Sequence, residues 1–234
     1  MDPRLSAAVG ASHAWYDDVF EVHGIPTRES DDLWSALAPP PRWHSAAKTL
    51  RPGVVVERVL DAVSAFDQCS VADSYGDLGL DRAGFELLIE ARWLFREPSR
   101  AAAAHMAPGW SVVSDADELS AWNSAHETTG VLLPALLQHP RFTILARREH
   151  SRLLAGAVLH EYAEVVELSN TWSASDADLD TDALLRCVEA LHPGRAVVGY
   201  AQGDDLPQST AAGFVDVGPQ LVWLRQGIDA VPAS

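Results

Sequence analysis

Two segments of the chain, residues 54–96 and 182–225, carry the same features in the same order, and this repetition restricts the fold more than any other property of the sequence. Each segment predicts an apolar-periodic helix, a short strand, a short polar helix and a final strand. Three motifs mark equivalent points: Asp77-Leu78, Ala83-Gly84-Phe85 and Trp93-Leu94 in the first segment, and Asp205-Leu206, Ala212-Gly213-Phe214 and Trp223-Leu224 in the second. The spacing is too long for a solenoid, so the sequence predicts an internal duplication of one α/β unit.

The composition is typical of a globular chain. It has 234 residues, of which 47% are hydrophobic and 21% charged, and this length suits one large domain or two small ones. No apolar run reaches the roughly 20 residues that a helix needs to cross a bilayer. The N-terminal region carries several acidic side chains and lacks the apolar core of a signal peptide. We therefore expect a cytoplasmic protein.

Acidic residues outnumber basic ones by 33 to 17, which gives a formal net charge of −16. Nucleic acids and anionic membranes are bound chiefly through basic groups that neutralise phosphate, so neither is an expected partner. Cys69 and Cys187 fall in a predicted strand and a predicted helix of different segments. We expect both to be buried, reduced thiols. The sequence gives no information on the oligomeric state.

The apolar pattern predicts helices at the N-terminus. One helix ends near Gly24, and a second, around residues 33–37, ends at the prolines of residues 39–41. The predicted organisation of the whole chain is N-terminal helices in residues 1–50, a partial repeat in residues 51–97, a linker in residues 98–109 and a complete domain in residues 110–226. Because the partial repeat has strands with an unpaired edge, we expect it to dock against the complete domain.

The complete domain has the predicted order β-α-α-β-β-β-α-β-α-β. Its second helix begins near Thr128 and contains Pro134, and its fourth and fifth strands cover residues 165–169 and 196–201. This order, with Gly218 four residues after Phe214, resembles the GNAT superfamily of acyl-CoA-dependent N-acetyltransferases. The resemblance covers residues 110–225, and the first segment is similar to the C-terminal part of such a domain. The implied fold class is α/β, a mixed sheet of the GNAT-like acyltransferase type with a partial N-terminal duplicate.

The resemblance implies a binding site for acetyl-CoA or another acyl-CoA. In such domains the fourth and fifth strands diverge, the pantetheine arm pairs with the fourth strand, and the pyrophosphate lies at the start of the next helix, where unpaired N–H groups favour an anion. The cofactor-binding residues implied here are Ser169, Asn170, Thr171, Trp172 and Thr181, with Arg186 as the nearest basic side chain.

The loop that would hold the pyrophosphate departs from the family pattern. Residues 170–181 contain no glycine, and they include Asp176, Asp178 and Asp180, with Asp182 just beyond. A carboxylate about 8 Å from a pyrophosphate opposes it by roughly 0.5–2 kcal/mol, depending on solvent exposure. The alternative interpretation is that these aspartates cap the helix and form a solvated acidic loop.

The catalytic residues that the resemblance implies are a base and an acid. Glu167 is the preferred base over Glu164, because it precedes the residues that would line the opening. Ser209 occupies the position at which many members have a tyrosine that acts as general acid and protonates the leaving thiolate. Tyr200 is therefore the candidate acid here. The predicted acceptor-side residues are Trp122, His126 and His160. Each of these side chains has an ordinary structural alternative, such as an exposed carboxylate or a hydrogen-bonded core residue.

Other catalytic motifs are absent from the sequence. It contains no nucleophile elbow, phosphate loop, dinucleotide fingerprint or zinc-protease pair of histidines, so no metal site is expected. Two functions remain. The first is an acyl-CoA-dependent N-acyltransferase acting on a small-molecule amine, which the acidic surface would attract. The second is a non-catalytic GNAT-like protein that uses the cleft for binding or regulation.

Overall fold

The described residues include five α-helices of 7 to 20 residues. The computed structural model describes residues 2–99, 103–175 and 177–227, and Asp176 of the predicted acidic loop therefore lies outside the described residues. The helices are α1 (Pro3–Val22), α2 (Val56–Ala62), α3 (Ala116–Ala125), α4 (Thr181–Leu191) and α5 (Asp205–Ala211). Short 3₁₀ turns cover Leu80–Ala83 and Pro134–Gln138. No helix of the described ranges is both long and apolar enough to cross a membrane.

Eleven strands form one mixed sheet. They are β1 (Thr27–Glu29), β2 (Leu33–Ala36), β3 (Ala47–Thr49), β4 (Cys69–Asp73), β5 (Glu86–Arg96), β6 (Trp110–Val112), β7 (Phe142–Glu149), β8 (Arg152–Tyr162), β9 (Val165–Ser173), β10 (Ala196–Ala201) and β11 (Val215–Arg225). Their order across the sheet is β1-β2-β3-β4-β11-β5-β10-β9-β8-β7-β6. Strands of the predicted partial repeat and of the predicted complete domain thus belong to the same sheet.

The two flanks of the sheet follow the same pairing pattern. In β1-β2-β3-β4-β11 the successive pairs are antiparallel, antiparallel, parallel and antiparallel. In β7-β8-β9-β10-β5 they are the same. The last strand of each segment pairs with the other segment, and β5 and β11 meet antiparallel at the centre. This pattern fits the predicted duplication, whose common origin stays a prediction.

The Gly-Phe motifs are helix-to-strand junctions in both segments. Gly84 ends the 3₁₀ turn with φ +81°, and Gly213 follows α5 with φ +89°. Only glycine adopts this left-handed conformation without strain. Phe85 and Phe214 come next, and both are buried. The predicted position of Ala83-Gly84-Phe85 between a helical turn and a strand is confirmed.

Three local predictions are wrong. Residues 33–37 are not a helix, because Leu33–Ala36 forms β2, in which all four residues are buried. The predicted helix after Thr128 is replaced by the 3₁₀ turn Pro134–Gln138. The loop expected from residue 170 begins only after Ser173, because β9 continues along β8 to that residue. In each case pairing or packing with distant residues overrides the local pattern.

Helices cover both faces of the sheet. On one face α1 and α3 pack against Ile144 and Val158. On the other face α4 packs against Leu145 and Leu159, since neighbouring residues of a strand point to opposite faces. Helix α1 lies across β5, β10, β9 and β8. Cys69 and Cys187 are buried free thiols, as expected.

Candidate active site

The sheet opens between β9 and β10. These parallel strands pair at three positions, the last being Glu167 opposite Val198. Beyond that pair β9 continues along β8, while β10 continues along β5. Asn170, with φ +50°, lies in an irregularity of β9 just past the separation. The opening is therefore where the resemblance to GNAT domains predicts it.

Gly199 is the first β10 residue past the last pair. A Cβ atom at this position would lie 2.7 Å from the Leu168 carbonyl oxygen. Gly199→Ala is expected to push the two strands apart and to destabilise the protein by about 1–3 kcal/mol in urea unfolding. Gly79→Ala is the matched control, because its Cβ would meet only a side-chain oxygen of Asp81 at 3.9 Å. Equal losses in both variants would contradict a special constraint at Gly199.

One cavity occupies the opening on the face that α4 covers, and we call it the α4-side cavity. Its volume is about 600 Å³. It is bounded by β9, β10, β5 and the first residues of α4 and α5. Its lining residues include Leu94, Leu168, Thr171, Trp172, Ser173, Thr181, Gly199, Tyr200, Gln208, Ser209 and Phe214. Of the predicted cofactor-binding residues, Thr171, Trp172 and Thr181 therefore line this cavity.

The α4-side cavity is acidic at its mouth. Asp178 and Asp205 line it and are exposed, and no Lys, Arg or His is among the described lining residues. The Asp180 carboxylate caps α4 by accepting a hydrogen bond from the Ala183 N–H at 2.8 Å. The start of α4 thus already holds a carboxylate. Arg186 is exposed and does not line the cavity, and its role as a phosphate contact stays a prediction.

A second cavity lies on the opposite face, beneath α1, and we call it the α1-side cavity. Its volume is about 490 Å³, and Ser12, Trp15 and Tyr16 of α1 form part of its wall. Ser169 and Asn170, predicted to bind the cofactor, line this cavity instead, because Ser169 points to the same face as Glu167. Tyr200 lines both cavities. Tyr200 therefore forms part of both cavity walls at the gap between β9 and β10.

Glu167 is a buried carboxylate in the wall of the α1-side cavity. It is 3% exposed, and its Oε2 atom has no hydrogen-bond partner among the described residues. Burial raises the pKa of Glu167 to about 7, against the attraction of Lys48. A carboxyl group with such a pKa exchanges its proton near neutral pH, which suits a general base. Glu164, the alternative base, is exposed in the turn before β9.

Tyr200 lies at the junction of the cavities with about half of its surface open. Although the ring has open surface, burial of the phenol group between the cavity walls, together with Tyr16 and Glu167, raises the pKa of Tyr200 to about 12. The phenol is therefore protonated at neutral pH. It packs edge-on against Trp93, with ring centroids 6.1 Å apart.

Lys48 is the only lysine in the chain, and it has no exposed surface. Its Nζ atom lies 5.4 Å from the Tyr16 ring centroid and 5.1 Å from that of Trp93. It has no hydrogen-bond partner within the described ranges. Burial lowers the pKa of Lys48 to about 8, although Glu167 and Asp73 attract its charge. Sequence reasoning missed this residue, and its uniqueness was the available signal.

His160 belongs to a buried ionic cluster. Its Nε2 atom is 2.8 Å from Asp18 Oδ2, and Asp18 also pairs with Arg141. Its Nδ1 atom is 3.9 Å from Glu167 Oε2. Burial lowers the pKa of His160, against the effect of Asp18. The side chain is fully buried and lines neither cavity, so it lies next to Glu167 without reaching the cavity wall itself.

The other two predicted acceptor-side residues have different fates. Trp122 is fully buried, and its indole N–H donates to the Leu145 carbonyl oxygen at 2.9 Å. It lines neither cavity and is a core residue. His126 does line the α1-side cavity and stacks on Trp172 with ring centroids 6.1 Å apart. Burial lowers the pKa of His126, which favours a neutral ring.

One group of metal-ligand side chains occurs in the described part of the chain: His13, Asp17 and Glu29. His13 Nε2 is 3.3 Å from Asp17 Oδ2 and 3.7 Å from Glu29 Oε2. Such contacts between an imidazole and carboxylates are common on protein surfaces without a metal ion. The group lines neither cavity near the gap, and we assign it no part in the candidate site.

The sequence matches no family model and no curated protein. The structure does match solved ones. It is similar to a GCN5-related N-acetyltransferase from Kribbella flavida, with TM-score 0.65, 17% identity and coverage of 94% of this chain and 96% of that one. A conserved protein of unknown function from Staphylococcus epidermidis matches with TM-score 0.60, 12% identity and coverage of 89% and 98%.

A third match is a GCN5-related N-acetyltransferase from Sphaerobacter thermophilus. Its TM-score is 0.52 at 11% identity, with coverage of 97% of this chain and 93% of that one. Likeness at such identities establishes architecture alone. The chain therefore has the GNAT fold that the sequence resemblance predicted.

Proposed function

We propose that the protein is an N-acyltransferase that moves an acyl group from a pantetheine thioester to an amine. The observation that carries the proposal is the position of Glu167. This carboxyl group, with its pKa of about 7, lies in the wall of one cavity, at the last β9–β10 pair before the gap that the other cavity occupies. A base at a junction between two ligand spaces suits proton removal during group transfer.

The α4-side cavity supports a pantetheine arm better than a diphosphate. The separated strands leave backbone groups of β9 without partners on β10, and a pantetheine amide can pair with such groups. Asp178 and Asp205 line the mouth, and the Asp180 carboxylate already occupies the start of α4. The unpaired backbone groups of β9 therefore support an acyl-CoA or acyl-pantetheine donor, whereas the acidic mouth opposes the nucleotide end of CoA.

Glu167 and Tyr200 have different roles in the proposed acyl transfer. A thioester supplies an activated acyl carbon when it is bound. Glu167, as a carboxylate above pH 7, accepts the proton that the acceptor nitrogen loses when its bond to that carbon forms. Tyr200 remains protonated and donates a hydrogen bond to the departing sulfur. A phenol with pKa about 12 does not transfer its proton outright to a thiolate, so solvent supplies that proton.

A second candidate function is supported by the acidic mouth. A GNAT-like protein that lost its diphosphate site would use the same cavities for binding or regulation. Asp178 and Asp205 favour this alternative. The buried carboxyl group at the gap favours catalysis, because a raised pKa in a cleft is costly to maintain without use.

The experiment that separates the two functions is a thiol-release assay combined with direct binding. Acetyl-CoA and acetyl-pantetheine are titrated by calorimetry, and release of free thiol is followed with a panel of primary amines from pH 6 to 9. The expected result is donor binding and a rate that rises through pH 7 as Glu167 ionises. Binding without thiol release at any pH would support the non-catalytic function.

The acidic mouth gives a prediction about donor selectivity. Asp178→Asn combined with Asp205→Asn is expected to tighten acetyl-CoA binding by about 3- to 30-fold, because two exposed carboxylates near a diphosphate each oppose it by a fraction of a kcal/mol to about 1 kcal/mol. Acetyl-pantetheine affinity should not change. Asp204→Asn, one residue before α5 and outside the lining, is the control. Equal effects on both donors would show that the mouth does not face the nucleotide.

A further inference from the structure

The outer wall of the α1-side cavity is apolar. Leu88 and Ile89 of β5, Val222 and Leu224 of β11, and Trp43 line it. Trp43 is 66% exposed and Leu88 55%, although large apolar side chains are usually covered. Exposed apolar surface that surrounds a cavity marks a site for an apolar ligand group.

Two buried residues that line the same cavity have side-chain acceptor atoms without donors. Glu167 Oε2 and Gln220 Oε1 are buried, and neither has a hydrogen-bond partner in the described part of the chain. Both residues line the cavity. Buried acceptors in this state are costly unless a ligand or water donates to them. An amine or ammonium group supplies such donors.

The charged groups that line the cavity favour cationic ligands over anionic ones. Its carboxylates are Glu167 inside and Glu127 at the exposed rim, and the described lining contains no Lys or Arg. His44 accepts a hydrogen bond from the Trp15 indole N–H at 3.1 Å, and burial lowers its pKa to about 4. It is therefore neutral at physiological pH. A ligand carboxylate would find no cationic partner among the described lining residues; the Arg42 guanidinium lies over the Trp43 ring, 4.3 Å from its centroid, at the exposed end of the wall.

From these observations we infer that the acceptor is a primary monoamine with an aryl or alkyl body. The amino group faces Glu167 and Gln220, and the body lies between Trp43, Leu88 and the β11 side chains. A polyamine would place a second ammonium against apolar walls, where desolvation opposes it. An amino acid would bring an unpaired carboxylate. This inference rests on the proposed function in treating the α1-side cavity as the acceptor site.

The test measures amine binding without any donor. Affinities of the n-alkylamines from butylamine to octylamine, of phenethylamine, of spermidine and of leucine are measured by calorimetry at pH 8. Each added methylene is expected to tighten binding about two- to fourfold until the cavity is filled. Spermidine and leucine should bind at least about tenfold more weakly than hexylamine.

A pair of leucines provides a matched control. Leu88 lines the cavity, whereas its neighbour Leu87, also exposed at 45%, does not. Leu88→Ser is expected to weaken hexylamine binding about three- to tenfold and to flatten the dependence on chain length. Leu87→Ser should leave both unchanged. Equal effects of the two substitutions would overturn the assignment of the apolar wall.

Binding and turnover together separate this inference from the proposed function. Alkylamine binding that follows chain length but gives no thiol release supports the inference and contradicts the acyltransferase. Thiol release that is faster with spermidine or leucine than with hexylamine supports the acyltransferase and overturns the inference. Absence of any amine binding, or affinities independent of chain length, also overturns it.

Discussion

Glu167→Gln is expected to lower kcat/KM for acyl transfer by about 10²–10⁴-fold, the usual contribution of a positioned base. The rise of the rate through pH 7 should disappear with it, because that rise reports ionisation of this carboxyl group. Glu164→Gln, in the exposed turn before β9, is the control and should keep wild-type kinetics. A variant that retains both the rate and the pH profile would show that Glu167 is not the base.

The same substitution is expected to stabilise the fold at high pH. The pKa of Glu167 rises from 4.5 in the unfolded chain to about 7 in the folded protein. Ionisation of Glu167 therefore does not destabilise the fold below pH 4.5. Between pH 4.5 and 7 the free energy of unfolding decreases, and above pH 7 it is lower by about 3 kcal/mol. Urea unfolding should show a gain for Glu167→Gln of up to about 3 kcal/mol at pH 8 and a much smaller gain at pH 5. A gain that does not depend on pH would contradict this origin.

Lys48→Met is the second substitution with a large expected effect. The pKa of Lys48 falls from 10.5 to about 8 on folding. Burial of Lys48 therefore does not reduce the free energy of unfolding above pH 10.5. The free energy of unfolding decreases as the pH falls from 10.5 to 8, and below pH 8 it stays lower by about 3 kcal/mol. Methionine has a similar shape and no charge, so the variant is expected to unfold at higher urea concentration at pH 6. The gain should shrink as the pH approaches 10.

Kinetics distinguish Lys48 from an ordinary buried charge. Its ammonium group favours the ionised form of Glu167, so its removal should move the pH at which the rate rises to values above 7. Arg82→Met removes one exposed positive charge and should change neither stability nor the pH profile. If Lys48→Met leaves the profile in place, Lys48 does not act on Glu167.

Local signals in the sequence predict the elements that also have local causes. The stripe of Leu184, Leu185 and Val188 predicts α4, and these residues are buried against the sheet. Gly84 and Gly213 mark junctions because their positive φ values are a local requirement. By contrast β2 is buried throughout, so it shows no alternation of apolar and polar residues. Its strand character comes from its neighbours in the sheet.

In the candidate site, too, some residues lie on elements that the sequence predicts, whereas others are placed by long-range contacts. The resemblance to GNAT domains implies a base and an acid on the two strands that diverge, and Glu167 and Tyr200 on those strands both lie near the gap. The position of Lys48 depends on the pairing of β3 with β4, which no local pattern reveals. Trp122 was assigned to the acceptor side from its helix, yet its burial against β7 and β8 is a property of tertiary packing. Such long-range contacts are what a single sequence does not encode visibly.

The last strand of each segment, β5 or β11, pairs with a strand of the other segment, and this arrangement has a consequence for folding during translation. Strand β11 (Val215–Arg225) is translated after every other strand, yet it lies between β4 and β5. Until it leaves the ribosome, each half-sheet has an open edge that invites pairing with other chains. Correct closure then joins residues far apart in sequence, such as Arg92 and Asp216, and such distant pairings form slowly. A nascent chain stalled before residue 215 therefore lacks the strand that joins β4 to β5, and both of these strands keep an edge open to aggregation.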